Sequence, residues 1–282
     1  IHIFDTKTKK KVDVDRTSDP DGYIPRIKWT NDPSKLCVFW MNRHQNHLEL
    51  LIANSVSGKT TKLLQEENKY YIDIHDNLTF LQDGQGFIWT SEQDGFNHIY
   101  LYDMSGSLKK QITTGNWEVT SFYSVDETNN AIFYKFASAS PMGREIVCVR
   151  LDVLARKPLH VDKGMNTAQF STTFDLFVLN HSTINSAPTY SVYDRKGKVV
   201  RVLENNEGVK AQQDEAGAQP VEFFNFTTSE GVDLNGYMIK PANFDATKKY
   251  PVFMTLYGGP GSQEVLDGWM GADYWWYQSL AQ

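Results

Sequence analysis

The sequence has little of what would place it outside ordinary globular proteins. It holds two cysteines, Cys37 and Cys148, and both fall inside apolar, strand-like runs. Buried free thiols are the simpler account of such positions, so neither a disulfide framework nor a thiolate metal site is suggested. No run approaches the ~18 apolar residues that a helical membrane span needs. Positive charge is short as well: 28 Lys and Arg stand against 34 Asp and Glu, for a net charge of −6. No basic stripe stands out, which argues against a nucleic-acid partner. The one basic cluster, KTKKK at Lys7 to Lys11, lies between two apolar pairs and reads as a solvated hairpin tip. No secretory leader is present, and the chain starts at Ile1 within IHIFD, already the interior of a strand. The chain is therefore expected to be an excised piece of a longer protein, and the missing leader says nothing about compartment.

What the sequence does contain is β-forming residues in a repeating arrangement. Aromatics make up 13% of its 282 residues and apolar residues 40%, the composition of a folded globular protein. The first two hundred residues fall into four similar units, beginning at IPRIKW, LTFLQD, VTSFYS and TAQFST. Their second strands, marked by Val38, Phe87, Ile132 and Phe177, are spaced 49, 45 and 45 residues apart. Each unit offers an aromatic or apolar entry, an Asp/Asn/Gly turn, a hydrophobic strand, an alternating strand such as HIYLYD, and a more polar outer strand. Four strands at a period in the forties are the mark of β-propeller blades, whereas a sandwich would not give this period. The opening segment IHIFDTKTKKKVDVD matches the last half of a unit. A partial propeller of about four and a half blades is expected over residues 1–208.

Beyond Gly208 the character changes. Residues 209–219 lack aromatics and read as a linker, with a second domain over 220–282. There VEFFNFTT and DLNGYMIKP are strand candidates that lead to KYPVFMTLYGGPGSQEV. Pro251 to Tyr257 is a short apolar run that fits a strand covered on both faces. Tyr257-Gly258-Gly259-Pro260-Gly261 then ends it, since glycine lets the backbone take φ > 0 and approach a ligand closely. The residues at the chain's end read as the start of a helix. A buried strand, a Gly-rich loop with a phenol at its mouth and a helix resemble the oxyanion loop of an α/β-hydrolase. The expected fold class is therefore mainly β, a partial propeller followed by the first strands of an α/β-hydrolase domain. A phosphate loop is excluded at GGPGS because no Gly-Lys-Ser/Thr follows.

Other clusters read more simply as structure. Asp73, His75 and Asp76 lack further ligands and fit a polar turn between units. His44 and His47 share a Gln/Asn-rich hairpin expected to face solvent. Glu66-Glu67 reads as a solvated strand end. Asn77, Asn180 and Asn225 open glycosylation sequons, the last two within strand-like runs where a glycan would be awkward.

Taken together, KKYPVFMTLYGGPGSQ, TSEQDGFNHIYLYD followed by TTGNWEV, and RVLENN make the chain resemble the prolyl oligopeptidase family of serine peptidases, in particular its dipeptidyl peptidase IV branch. The resemblance runs along essentially the whole chain. Related branches carry histidine where Tyr257 stands, so the tyrosine favours the dipeptidyl peptidase side. The resemblance implies that Tyr257 donates a hydrogen bond to the oxyanion, that Gly258 and Gly259 let the loop pass close to the substrate, and that no metal or organic cofactor is used. It also implies a whole protein that can dimerise, located in the periplasm, the cell envelope or outside the cell. Its reaction would release dipeptides from peptides with proline, or alanine, at the second position through an acyl-enzyme. The family's Gly-x-Ser-x-Gly elbow is absent: no serine here has glycine at both flanking positions two residues away. Its Asp and His partners would follow that serine in chain order, and the paired glutamates that hold a substrate's amino terminus are not recognisable. The chain alone is therefore expected to be inactive. The competing expectation is a peptidase-like propeller that has lost its nucleophile and serves recognition.

Overall fold

The computed structural model describes residues 1–15, 21–137, 140–160, 162–259 and 261–282. The chain opens with a hairpin of β1 (His2–Phe4) and β2 (Lys11–Asp13), whose lysine-rich turn is pinned by Asp5, which accepts the Lys7 and Thr8 amides. A four-stranded antiparallel sheet follows, β3 (Ile27–Trp29), β4 (Lys35–Met41), β5 (His47–Asn54) and β6 (Thr60–Glu67). The second consists of β7 (Thr79–Phe80), β8 (Gly86–Ser91), β9 (His98–Asp103) and β10 (Leu108–Gln111). The third holds β11 (Glu118–Asp126), β12 (Ala131–Ala137), β13 (Glu145–Arg150) and β14 (Arg156–Pro158). The fourth holds β15 (Met165–Phe170), β16 (Leu176–Thr183), β17 (Ser186–Asp194) and β18 (Val199–Glu204). In every one of these sheets each strand neighbours the next in sequence, so each is a meander with the topology of a propeller blade. The four repeating units read from the sequence are these four sheets.

Two compact units divide the chain, Ile1–Ala131 and Ile132–Gln282. In the first, β4 shows why the middle strands are continuously apolar. Its alternate residues Cys37, Phe39 and Met41 join one core with Phe87, Trp89 and Tyr100 of the second sheet. Leu36, Val38 and Trp40, on the opposite face, pack with Ile3 and Val14 of the opening hairpin. Side chains alternate faces along a strand, so a sheet covered on both sides needs apolar residues at every position. Burial pushes the Cys37 thiol up to about 12, which leaves it an inert packing group, while Cys148 is half-buried and, like Cys37, not in a disulfide.

Gly106, in the β9–β10 turn, is a position where only glycine fits. Its φ is +82°, and an added Cβ would lie 1.8 Å from the Leu63 carbonyl oxygen of β6. Gly106→Ala is therefore expected to cost at least about 2 kcal/mol through backbone strain and displacement of the neighbouring strand. A urea midpoint equal to that of the unchanged chain would show that turn and strand separate freely.

The second unit departs from expectation beyond β18. Residues 207–215, most of which read as linker, form a helix, α1 (Glu207–Glu215). Asn206 turns the chain into it with φ 53°, and Lys210 pairs with Asp214 one turn on. Propensity accounts for this: Lys, Ala, Gln and Glu are good helix formers even where no apolar stripe is present. Gln213 is buried and donates to the Tyr274 hydroxyl at 2.8 Å, which fastens the helix to α2 (Ala272–Leu280). Between the helices, β19 (Val221–Thr227) and β20 (Asp233–Ile239) form an antiparallel hairpin in continuous register from Val221–Ile239 to Thr227–Asp233. Val221, Ile184 and Tyr274 share a small core with Tyr237, Ile239 and Trp269.

The buried strand expected over Pro251 to Tyr257 is absent. The segment has no regular structure, and Val252, Phe253, Met254 and Leu256 are 87, 65, 74 and 76% exposed. A buried strand forms only where a neighbouring strand takes up its backbone groups. Among the described residues no backbone hydrogen bond engages 251–257.

Candidate functional site

The Tyr257 loop has a free entry and a fixed exit. Tyr257 is 65% exposed, and its ring folds back over Gly259, where an added Cβ would sit 2.5 Å from Cε1 and 2.6 Å from the hydroxyl oxygen. Gly258 has open space where a side chain would stand. Downstream the chain is held firmly. Gln263 Nε2 donates to the Pro141 carbonyl at 2.6 Å, and its Oε1 accepts from Arg144 Nη2 at 3.0 Å. Arg144, itself buried, also donates to the carbonyls of Pro141 and Gly143. The Asp267 amide donates to the Met142 carbonyl, and its carboxylate accepts the Ile184 amide at 2.9 Å. The loop can therefore present a phenol and backbone to an incoming group while its trailing end stays registered against the 140–144 turn and the β16–β17 turn. Arg144 lies 119 residues from Gln263, and no local pattern in the sequence marks it as a partner of this loop.

A second polar centre lies in the first unit, and it corrects the reading of Glu66 as a solvated strand end. Trp89 Nε1 donates to Glu66 Oε1 at 2.7 Å, and the indole packs at a tilt against His75, 4.3 Å between ring centres. Burial raises the Glu66 pKa despite the Ser91 and Trp89 hydrogen bonds, and the charge of Glu92 adds to the rise. Glu67 remains outside and faces His47. The same geometry corrects His47, which is half-buried between Glu49 and Glu67 and packs on Trp40 rather than facing solvent; His44 is exposed. His75 Nε2 donates to the Thr90 carbonyl at 2.8 Å, and Nδ1 accepts the Asn77 amide at 3.3 Å. Asp76 turns away to Arg26. The Asn77 side-chain amide donates to Thr90 Oγ1, and that of Asn225 to Asn235 Oδ1.

Glu66 yields a pH prediction. An acid whose folded pKa lies above its unfolded value stabilises the fold least when ionised. Its contribution is complete below the unfolded value, near 4.5, and is lost as pH rises through the folded one. Glu66→Gln keeps an acceptor for Trp89 and removes that ionisation. The variant should therefore match the unchanged chain at pH 4 and exceed it in urea midpoint at pH 8. Equal midpoints at both values would show that Glu66 titrates as if in water.

A third cluster went unnoticed in the sequence. One ligand atom each from His160, Asp162 and His181 lies within 4.8 Å of the other two. His160 follows β14, His181 sits in β16, and their rings pack at 5.2 Å. Burial lowers the pKa of both imidazoles. The two histidines stand 21 positions apart: His160 lies on the chain leading into β15, and β15 pairs with β16 so that Asn166 stands opposite His181.

Among the described residues, no helix is long and apolar enough to cross a membrane. Sheet after sheet of blade topology, then a hairpin and a tyrosine–glycine loop, define a mainly β chain of the propeller type. The sequence matches the family described as the dipeptidyl peptidase IV (DPP IV) N-terminal region over residues 1–188, and the chain belongs to that family. The crystal structure of Porphyromonas gingivalis dipeptidyl peptidase 4 superposes with a TM-score of 0.93 at 34% identity, covering 100% of this chain and 40% of that one. Dipeptidyl peptidase 4 from Arthroderma otae is 26% identical over 97% of this chain and 37% of its own length. The protein of the same name from Trichophyton rubrum gives the same figures. The chain thus spans well under half the length of these relatives.

Proposed function

We propose that the chain is the later propeller and the entry to the α/β-hydrolase domain of a serine exopeptidase that removes N-terminal dipeptides from peptides with proline or alanine at the second position. The observation that carries this reading is the Tyr257-Gly258-Gly259 loop, a phenol on a glycine backbone anchored through Gln263 and Arg144, in a chain of the dipeptidyl peptidase IV family. In acyl transfer a serine attacks the scissile carbonyl and its oxygen becomes negative. A donor placed at that oxygen lowers the barrier because it meets charge absent from the ground state. Tyr257 takes that role, and Gly258 and Gly259 leave room for the substrate backbone. The serine, its histidine and its aspartate come from elsewhere in the whole protein. The propeller restricts which peptides reach them, and the whole protein works as a dimer in the periplasm, the envelope or the medium. No metal takes part in this chemistry.

The complete protein tests the reading with Gly-Pro-p-nitroanilide and a fluorophosphonate probe. Release of nitroaniline with a single labelled serine supports a peptidase. Failure of both would favour a recognition scaffold that has lost its nucleophile.

A further inference from the structure

We propose that His160, Asp162 and His181 form a binding site for a divalent transition-metal ion of zinc type. The donor set is two imidazoles and one carboxylate, which suits zinc and its neighbours, whereas calcium and magnesium take oxygen ligands. The three residues converge from the β14–β15 connection and from β16, all within the second compact unit.

The surrounding hydrogen bonds prepare the ligand atoms. Asn166 is buried, and its amide nitrogen donates to the carbonyls of Arg144 and Asp162 at 2.8 and 3.2 Å. That fixes which end of the amide is which, since an oxygen turned towards two carbonyls would be repelled. Asn166 Oδ1 therefore faces His181 Nδ1 at 2.9 Å as an acceptor. His181 carries its proton on Nδ1 and keeps a lone pair on Nε2. An outer carbonyl holding a histidine tautomer in this way is the usual support of a metal-bound imidazole.

His160 supplies an independent observation. Its side chain is only 8% exposed, and Nε2 is buried without a hydrogen bond. The Tyr193 hydroxyl stands on the Nδ1 side at 3.5 Å, while Asp162 Oδ2 lies 3.3 Å from Nε2, outside hydrogen-bond geometry. A nitrogen facing a carboxylate in poor alignment for a proton is a costly arrangement when buried. A cation between them resolves it. Around a tetrahedral ion with bonds of about 2.1 Å the donor atoms stand about 3.4 Å apart, so a cluster within 4.8 Å closes by at most about 1.4 Å between any two donors. Asp162, 68% exposed, gives the ion its path from solvent and leaves a position for water. Bound there, the ion clamps the chain leaving the third sheet to the second strand of the fourth.

The test uses the whole chain after chelator treatment, titrated with zinc chloride against a chromophoric zinc indicator, with calcium and magnesium as controls. One zinc per chain is expected, with at least tenfold weaker binding in both Asp162→Asn and His181→Gln. Calcium and magnesium should not compete. Asp162→Asn alters an exposed side chain, so its fold is expected to survive, and far-ultraviolet circular dichroism verifies this. Cobalt loading should give a d–d absorption band that both substitutions weaken. Absence of stoichiometric binding, or affinity unchanged in both variants, would overturn the proposal and assign any bound zinc to the other histidines. Because the dipeptidyl peptidase reading assigns no metal to its chemistry, either outcome leaves that reading to its own assay.

Discussion

Tyr257→Phe in the complete protein should lower kcat on a Xaa-Pro p-nitroanilide by about two orders of magnitude, the loss found when one oxyanion donor is removed. The change deletes one hydroxyl from a side chain that is 65% exposed in this chain, so the thermal midpoint should stay where it was. KM should move little, because in the proposed role the hydroxyl meets charge that develops only in the transition state. The loop's glycine geometry is retained, since the ring that lies over Gly259 is still present. Turnover equal to that of the unchanged protein would remove Tyr257 from the chemistry. A raised KM at constant kcat would reassign it to substrate binding.

Trp89→Ala should be among the most damaging single changes in the first compact unit. The indole is 1% exposed, packs on Phe39 at 5.8 Å and on His75, and donates to Glu66. Emptying a site of this size costs about 3–5 kcal/mol. Glu66 also loses its donor within a half-buried setting, which adds to the penalty. Trp89→Phe separates the two contributions: it keeps most of the ring and loses the N–H, so about 1–3 kcal/mol should go. Urea midpoints of both variants provide the check, and equal losses would mean that the hydrogen bond, rather than the packing, dominates.

These two residues also mark what could be read in advance. Val38, Phe87, Ile132 and Phe177 lie in the second strand of the four sheets, so periodicity located the blades from strand composition alone. Apolar content could not tell a covered strand from an uncovered segment at Pro251–Tyr257, because burial depends on neighbours that local sequence does not encode. The helix at 207–215 was missed for the opposite reason: it has no apolar stripe, and its anchoring relies on distant bonds such as those from Gln213 to Tyr274 and to the Asn185 carbonyl. Of the proposed site, the Tyr257–Gly259 turn could be nominated from the sequence because turn chemistry is local, and its role rests on the kinetic test above. Glu66 looked solvated because nothing next to it in the chain reveals Trp89 above it, 23 residues away. The His160 and His181 cluster arises from strand register, which brings distant residues side by side without leaving a motif.

The meander order of every sheet bears on how the protein is made. All strand partners within the four sheets are sequence neighbours, so pairing closes short loops and the entropic barrier to each sheet is low. Domains form as units while synthesis proceeds, and the first sheet has all its strands once Glu67 has left the ribosome. The contacts that must wait join two turns to the far end of the chain: the β16–β17 turn, through Ile184 to Asp267 and Asn185 to Val221, and the 140–144 turn, through Pro141 and Arg144 to Gln263 and Met142 to Asp267. A nascent chain halted at Glu204 would thus hold four finished sheets yet lack the partners of both turns, and it is there that a chaperone would find unsatisfied groups longest.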